Sequence, residues 1–176
     1  MSYPTMYFLS DNGKFPNSHL PVLHYTGIVK VPKLFAAGRI KALFRRNGWA
    51  NNWRHGIYTY AHYHSNTHEA MAVIHGRTNL QLGGDGRRII TIKKGDLLII
   101  PAGVAHKNMG AEKDVICIGG YPGGIDFDIN VGGPGERPGT DAKIAKVSLP
   151  TNGPLCPDTE LFAIWSRYKT GVVRFS

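Results

Sequence analysis

The sequence predicts an all-β chain curled into a barrel, and three observations carry that expectation. From Gly56 onward, apolar or alternating segments recur at 57–64, 70–75, 78–82, 88–93, 96–100, 104–109 and 114–119, separated by Gly, Pro, Asn and Asp turns. Short strands at such even spacing build sandwiches and closed barrels. One stretch ahead of them, 34–46, carries a helical period. Finally, two glycine-punctuated blocks place three histidines and a glutamate at intervals that suit neighbouring strands of one barrel.

Residues 1 to about 33 are broken by Pro4, Pro16, Asn17, Pro21 and Pro32, and read as an irregular arm with one or two short strands around the apolar stretch 20–29. In 34–46, LFAAGRIKALFRR, the residues Phe35, Ile40, Leu43 and Phe44 fall on one side, and Arg39, Lys41, Arg45 and Arg46 largely elsewhere. That is the pattern of a short basic amphipathic helix, with Asn47-Gly48 as its stop. The GGDG at 83–86 is a hairpin turn. Residues 120–140 are rich in Gly and Pro and are expected to cross the barrel surface as a loop; 143–149 reads as a further strand, and 158–168 as a short terminal helix or strand. The whole, 1–176, is expected to be one domain: arm and helix over 1–55, the strand core over 56–121, and loop and cap over 122–176.

Composition bounds the function. At 176 residues with 42% hydrophobic content, the chain is long enough to bury a core without staples. No apolar run approaches the ~20 residues of a membrane span. The start has neither a basic region nor a sustained apolar one, so no signal peptide is expected. The two cysteines, Cys117 and Cys156, suggest no disulfide framework, and a cytoplasmic location is the simplest expectation. A net charge of +9 favours anionic substrates or acidic partners. The basic helix has no partner helix and no interleaved aromatic platform, so it reads as an amphipathic cap rather than a nucleic-acid element, which remains a remote alternative. GGPGERPG is no phosphate loop, since no Gly-Lys-Ser/Thr follows it.

The first block, Gly56 to Gly76, reads G-x5-H-x-H-x4-E-x6-G; the second, Gly95 to His106, reads G-x5-P-x-G-x2-H. Imidazoles two residues apart on a strand face the same way with backbones about 6.5 Å apart. One ion with ligand distances of about 2.0–2.1 Å bridges that span. His62 and His64, with Glu69 from the next strand and His106 from a distant turn, form an N/O set suited to one divalent transition metal, such as iron, manganese, nickel or zinc. Alternation on 57–64 puts Tyr58 and Tyr60 on the face of the two histidines, where they read either as substrate-orienting catalytic residues or as core aromatics. Glu69, Met71, Val73 and His75 share the next strand's inner face. His68 then faces the other way, as a rim or surface residue, although it is the alternative ligand if the register slips by one. His75 reads as an exposed strand end, Cys117 as a small buried hydrophobe, and Trp49, Trp53 and Trp165 as seals of the barrel or of a subunit interface.

The two blocks resemble the paired motifs of the cupin superfamily, over about half the chain from Gly56 to roughly Tyr121. The match departs after His106: the family pattern has Asn four residues on, where this chain has Gly110, with Asn108 two residues on instead. A closer resemblance, to the YjlB-like bacterial cupins of unknown activity, rests on LPVLHY, NGW, WRHGIYTY, HYHSNTHE, PAGVAHK, VSLP and Trp165. The resemblance implies a cupin double-stranded β-helix, or jelly-roll barrel, and a homodimer in which the N-terminal arm suits strand exchange. The site leads to the expectation of a metal-dependent enzyme acting on a small oxygenated or anionic molecule, with oxygenase and isomerase or lyase chemistry both open; the excess positive charge favours the anionic substrate, with Lys107 and Arg54 as candidates near the mouth. A non-catalytic barrel that binds metal or a small ligand is the alternative.

Overall fold

The structure is a computed structural model that describes residues 3–156 and 160–168. Its elements run β1 (Thr5–Leu9), β2 (Ser18–Tyr25), α1 (Ala36–Arg46), β3 (Trp49–Ala50), β4 (Arg54–His55), β5 (Glu69–Leu82), β6 (Arg88–Lys93), β7 (Leu97–Ile100), β8 (His106–Asn108), β9 (Val115–Pro122), α2 (Gly139–Ile144) and α3 (Glu160–Ser166).

β5 organises the rest. Its first half pairs antiparallel with β7, from Glu69 opposite Ile100 to Ala72 opposite Leu97. On the other side it pairs with β9, from Ala70 opposite Gly120 onward. Its second half, Arg77–Leu82, pairs with β6 across the 83–86 turn and with β8. The sheet continues outward through β7 to β2 and β1, and through β9 to β3 and β4. One long strand shared by all these partners curls the antiparallel sheet into a barrel wall.

Alternation sorts the side chains to the two faces of that wall. Met71 and Val73 on β5, Leu98 and Ile100 on β7, and Val115 and Cys117 on β9 form the inner cluster. Ala70, Ala72, Leu97, Ile99 and Ile118 point the other way, into a second cluster closed by Phe44 of α1 and by Leu161, Ile164 and Trp165 of α3. With both faces covered, β7 is buried at all four positions, which is why LLII reads as a continuous apolar run. Trp165 is fully buried, and its indole N–H donates to the Pro21 carbonyl at 2.9 Å.

Four local expectations change. Residues 57–64 form no continuous strand: His62 bridges His106 and Tyr63 bridges Asn130, one residue each. The Asn108 amide of β8 also donates to the Tyr58 carbonyl at 2.8 Å, but no continuous ladder forms. The segment 143–149 is not a strand; Gly139–Ile144 is helical, with Pro138 at its start and Arg137 paired to Asp141 at 2.8 Å. Phe35 does not join the buried face of α1, because it sits before the first helical residue with φ of 55° and is 81% exposed. His75 leaves the inner face because the β5–β9 register slips between Val73 and His75. The C-terminal segment is helical over Glu160–Ser166, while positions 158–159 of the expected element lie outside the described residues.

Gly76 shows why the first block ends on glycine. Its φ is +77°, and a Cβ there would lie 1.9 Å from the Asp114 carbonyl oxygen. Only glycine combines that dihedral with so close an approach.

Candidate metal centre

His62, His64, Glu69 and His106 converge at one end of the barrel, and each is 5% exposed or less. The three histidines each offer a ring nitrogen, and these atoms lie within 4.8 Å of one another. Glu69 Oε2 stands 3.3 Å from His106 Nε2 and 3.4 Å from His64 Nε2. Glu69 and His106 come from regular strands; the bridge between His62 and His106, a reciprocal pair of backbone bonds at 3.2 and 2.9 Å, fastens the irregular 57–64 segment beside them.

Hydrogen-bond polarity decides what these atoms present. His62 Nδ1 lies 3.3 Å from the Tyr60 carbonyl, His64 Nδ1 2.6 Å from that of Asp128, and His106 Nδ1 3.1 Å from that of Val104. A carbonyl only accepts, so each Nδ1 carries the proton and a neutral ring turns an Nε2 lone pair inward. Glu69 is fixed by the same logic. An indole N–H can only donate, so Trp53 Nε1 donates to the Tyr121 hydroxyl at 2.9 Å, and that hydroxyl donates its single proton to Glu69 Oε1 at 2.9 Å. Oε2 makes no hydrogen bond of good geometry. With all three rings neutral, three imidazole lone pairs and one carboxylate oxygen face a common point. Buried acceptors crowded in this way call for a cation, and this N3O set fits a divalent transition metal.

The electrostatics differ from ring to ring. Burial pushes the His62 imidazolium down to about 3, assisted by His106, so this ring stays neutral. Burial also opposes charge on Glu69 and on His64, but their mutual attraction overrides it. Glu69 is held well below the usual carboxylate range and His64 is raised.

The four residues line a cavity of about 250 Å³ whose other walls are Trp53, Arg54, Tyr58, Met71, Tyr121 and Phe127, together with His55, Gly56 and Ile57. Gly119 admits the Trp53 indole to this wall: a Cβ at that position would lie 1.9 Å from the ring. Tyr58 lines the cavity and sits edge-on to His62, with ring centres 5.1 Å apart. Tyr60 is not among the lining residues; it stacks on Tyr58 at 5.0 Å and is 46% exposed. Of the two basic candidates, Arg54 lines the cavity, whereas Lys107 pairs with Asp85 at 2.9 Å away from it. His55, at the mouth, pairs with Glu112 at 2.8 Å.

His68 is neither at the rim nor on the surface. It is 2% exposed on the far side of β5's start, its ring centre 4.7 Å from that of Trp165, and its Nδ1 accepts from the Ala102 N–H at 3.0 Å. Burial pushes its imidazolium down to about 3. Three contributors escape the sequence pattern: Tyr121, Trp53 and Asp128. Asp128 holds His64 through its carbonyl, while its carboxylate accepts from the Ser65 amide and hydroxyl. No spacing rule ties them to the histidines.

Comparison with known proteins gives one family and one near relative. Residues 54–118 match the family model described as "Cupin domain". An uncharacterised protein of Bacillus subtilis, YjlB, is 36% identical over 161 residues, spanning 90% of this chain and 94% of that protein. Among solved structures, an acireductone dioxygenase from Bacillus anthracis with a cadmium ion in its active centre aligns over 60% of this chain and 80% of its own, at 11% identity and a TM-score of 0.39. An 11S allergen from Cocos nucifera aligns over 46% of this chain, which spans only 24% of that protein, at 17% identity and a TM-score of 0.38.

Proposed function

The chain belongs to the cupin superfamily, with YjlB of Bacillus subtilis as a relative along nearly its whole length, and from that premise we propose that it is a metal-dependent enzyme acting on a small oxygenated or anionic molecule. The observation that supports this most is the inward polarity of the site: every Nδ1 is tied to a backbone carbonyl and Glu69 Oε1 to Tyr121, so that four acceptor atoms are left facing one point. His62, His64, Glu69 and His106 are the proposed ligands of one divalent ion. When bound, such an ion supplies a Lewis-acid or redox centre that polarises a substrate oxygen.

The remaining residues would shape what enters. A cavity of about 250 Å³ suits a molecule of few heavy atoms. Trp53, Phe127 and Met71 exclude water from its walls, Tyr58 offers a hydroxyl for orienting a polar group, and Arg54 attracts an anionic end. Tyr60, half exposed and behind Tyr58, would support that ring rather than touch substrate.

A second reading, a barrel that holds metal or a small ligand without turning it over, draws on the thin supply of acid–base groups around the cavity. Beyond the ligands these are Tyr58, the already committed Tyr121 hydroxyl, and His55, which Glu112 holds. Metal analysis of untagged, natively purified protein tests both readings. We expect about one ion per chain, lost in His62→Ala and His106→Ala. Turnover of small carboxylates and hydroxy-carbonyl compounds by the loaded protein, or its absence across such a panel, separates enzyme from binding barrel. No ion in the native protein and no uptake of iron, manganese, nickel or zinc would remove the metal-dependent enzyme and leave a barrel whose histidines serve structure or small-ligand binding alone. The homodimer is proposed alongside, with the edge strand β1 as its contact, and light scattering at micromolar concentration checks it.

A further inference from the structure

Beyond the ligands themselves, the chain that runs from Trp53 through Tyr121 to Glu69 has a direction. Trp53 can only donate, which leaves the Tyr121 oxygen as its acceptor and the Tyr121 proton for Glu69 Oε1. Tyr121 is 1% exposed and Glu69 3%, so no bulk water competes for that proton. The chain therefore distinguishes two carboxylate oxygens that are chemically equivalent: Oε1 is occupied by a donor and turned toward β9, while Oε2 is free and turned toward His64 and His106. A hydroxyl held on Oε1 opposes the rotation that would bring both oxygens to one cation.

We propose that Tyr121 is a positioning residue that keeps Glu69 a one-oxygen ligand and so keeps a coordination position open on the cavity side. This rests on the metal reading above and goes beyond it, because it assigns the openness of the site to a residue that touches neither ion nor substrate. Three imidazoles and one carboxylate oxygen leave an octahedral ion two vacant positions; a second carboxylate oxygen would take one of them.

The probe is Mn²⁺ alone, loaded into the full chain, with water-proton relaxation reporting exchangeable water on the ion. Wild type is expected to show exchangeable water, and Tyr121→Phe to bind Mn²⁺ yet lose about half of that relaxation enhancement, as one of about two open positions closes. His68→Ala, which alters packing on the other face of β5, leaves the Tyr121–Glu69 bond in place and is expected to keep the wild-type enhancement. Equal enhancement in wild type and Tyr121→Phe would overturn the proposal. So would equal loss in both variants, since packing around the cavity would then set the coordination. Infrared difference spectra of wild type with and without Mn²⁺ test the same point without any variant. A wide separation of the carboxylate stretches fits one-oxygen binding, and a narrow one overturns it. Failure of wild type to bind Mn²⁺ or any other divalent transition ion is a different result: it removes the metal reading itself and this proposal with it.

Discussion

His68 and Glu69 are neighbours at the start of β5, equally buried, and opposite in kind. Glu69 faces the inner cavity, where two imidazole nitrogens stand within 3.4 Å of one oxygen and a phenol holds the other. His68 faces the outer cluster, where Trp165 covers its ring and a backbone amide satisfies one nitrogen. Burial is common to both, so burial does not mark a ligand. What separates them is where their lone pairs point: those of Glu69 join three others around one point, while the Nδ1 lone pair of His68 is used up in holding Ala102. On the proposed reading the inner face would take a cation, while the outer face stays neutral.

The largest test of that contrast removes an inner ligand. His106→Ala is expected to weaken metal binding by more than about 100-fold, since even partners of ligands contribute 10–100-fold; titration with Mn²⁺ or Zn²⁺ followed by calorimetry reads it. Next comes the hinge between β5's two halves. Gly76→Ala forces a Cβ against the Asp114 carbonyl and is expected to cost about 2–4 kcal/mol in chemical denaturation, which tests the continuity of the shared strand. His68→Ala should cost about 2–3 kcal/mol of stability through the space it opens beside Trp165, while leaving metal stoichiometry unchanged. A loss of metal in that variant would break the distinction between the two faces.

Acid sharpens the same contrast. The His68 imidazolium lies near 3 in the folded chain against about 6.5 unfolded, so the unfolded state takes up a proton first as pH falls. Its share of stability is whole above about 6.5 and is lost progressively below it, reaching about 2 kcal/mol by pH 5. Wild type should therefore lose more stability than His68→Ala between pH 7.5 and 5, and parallel profiles would contradict a neutral buried ring. The smallest effect is expected at Lys107→Ala. Its partner Asp85 is exposed, so removing the pair should change stability by less than about 1 kcal/mol and leave metal binding alone.

How much was legible in the sequence follows from these two faces. Strands β6 and β7 and the 83–86 hairpin were readable because continuous ladders enforce alternation or, when both faces are covered, a solid apolar run. The convergence of His62, His64 and Glu69 was legible because their spacing is local, and that of His106, from a distant turn, only because the second block repeats the glycine punctuation of the first. The segment 57–64 was read as a strand on good alternation, yet it joins its neighbours only through isolated bridges at His62 and Tyr63. No pattern within a segment reports whether its partners run alongside it. The burial of His68 escaped because the residue that covers it, Trp165, arrives almost a hundred positions later. Tyr121 and Asp128 escaped for a similar reason. One is placed by β9, 52 positions after Glu69, and the other acts through a backbone carbonyl that every residue type possesses.

The central claim is that these four inward-facing acceptors hold one metal ion. Anomalous diffraction from crystals of natively purified protein, collected at the absorption edge of the metal found by elemental analysis, tests it most directly. The account predicts one strong peak about 2.0–2.2 Å from the Nε2 atoms of His62, His64 and His106 and from Glu69 Oε2. A structure with no peak among those residues, even after soaking in iron, manganese, nickel and zinc salts, or with the ion seated elsewhere, would contradict it.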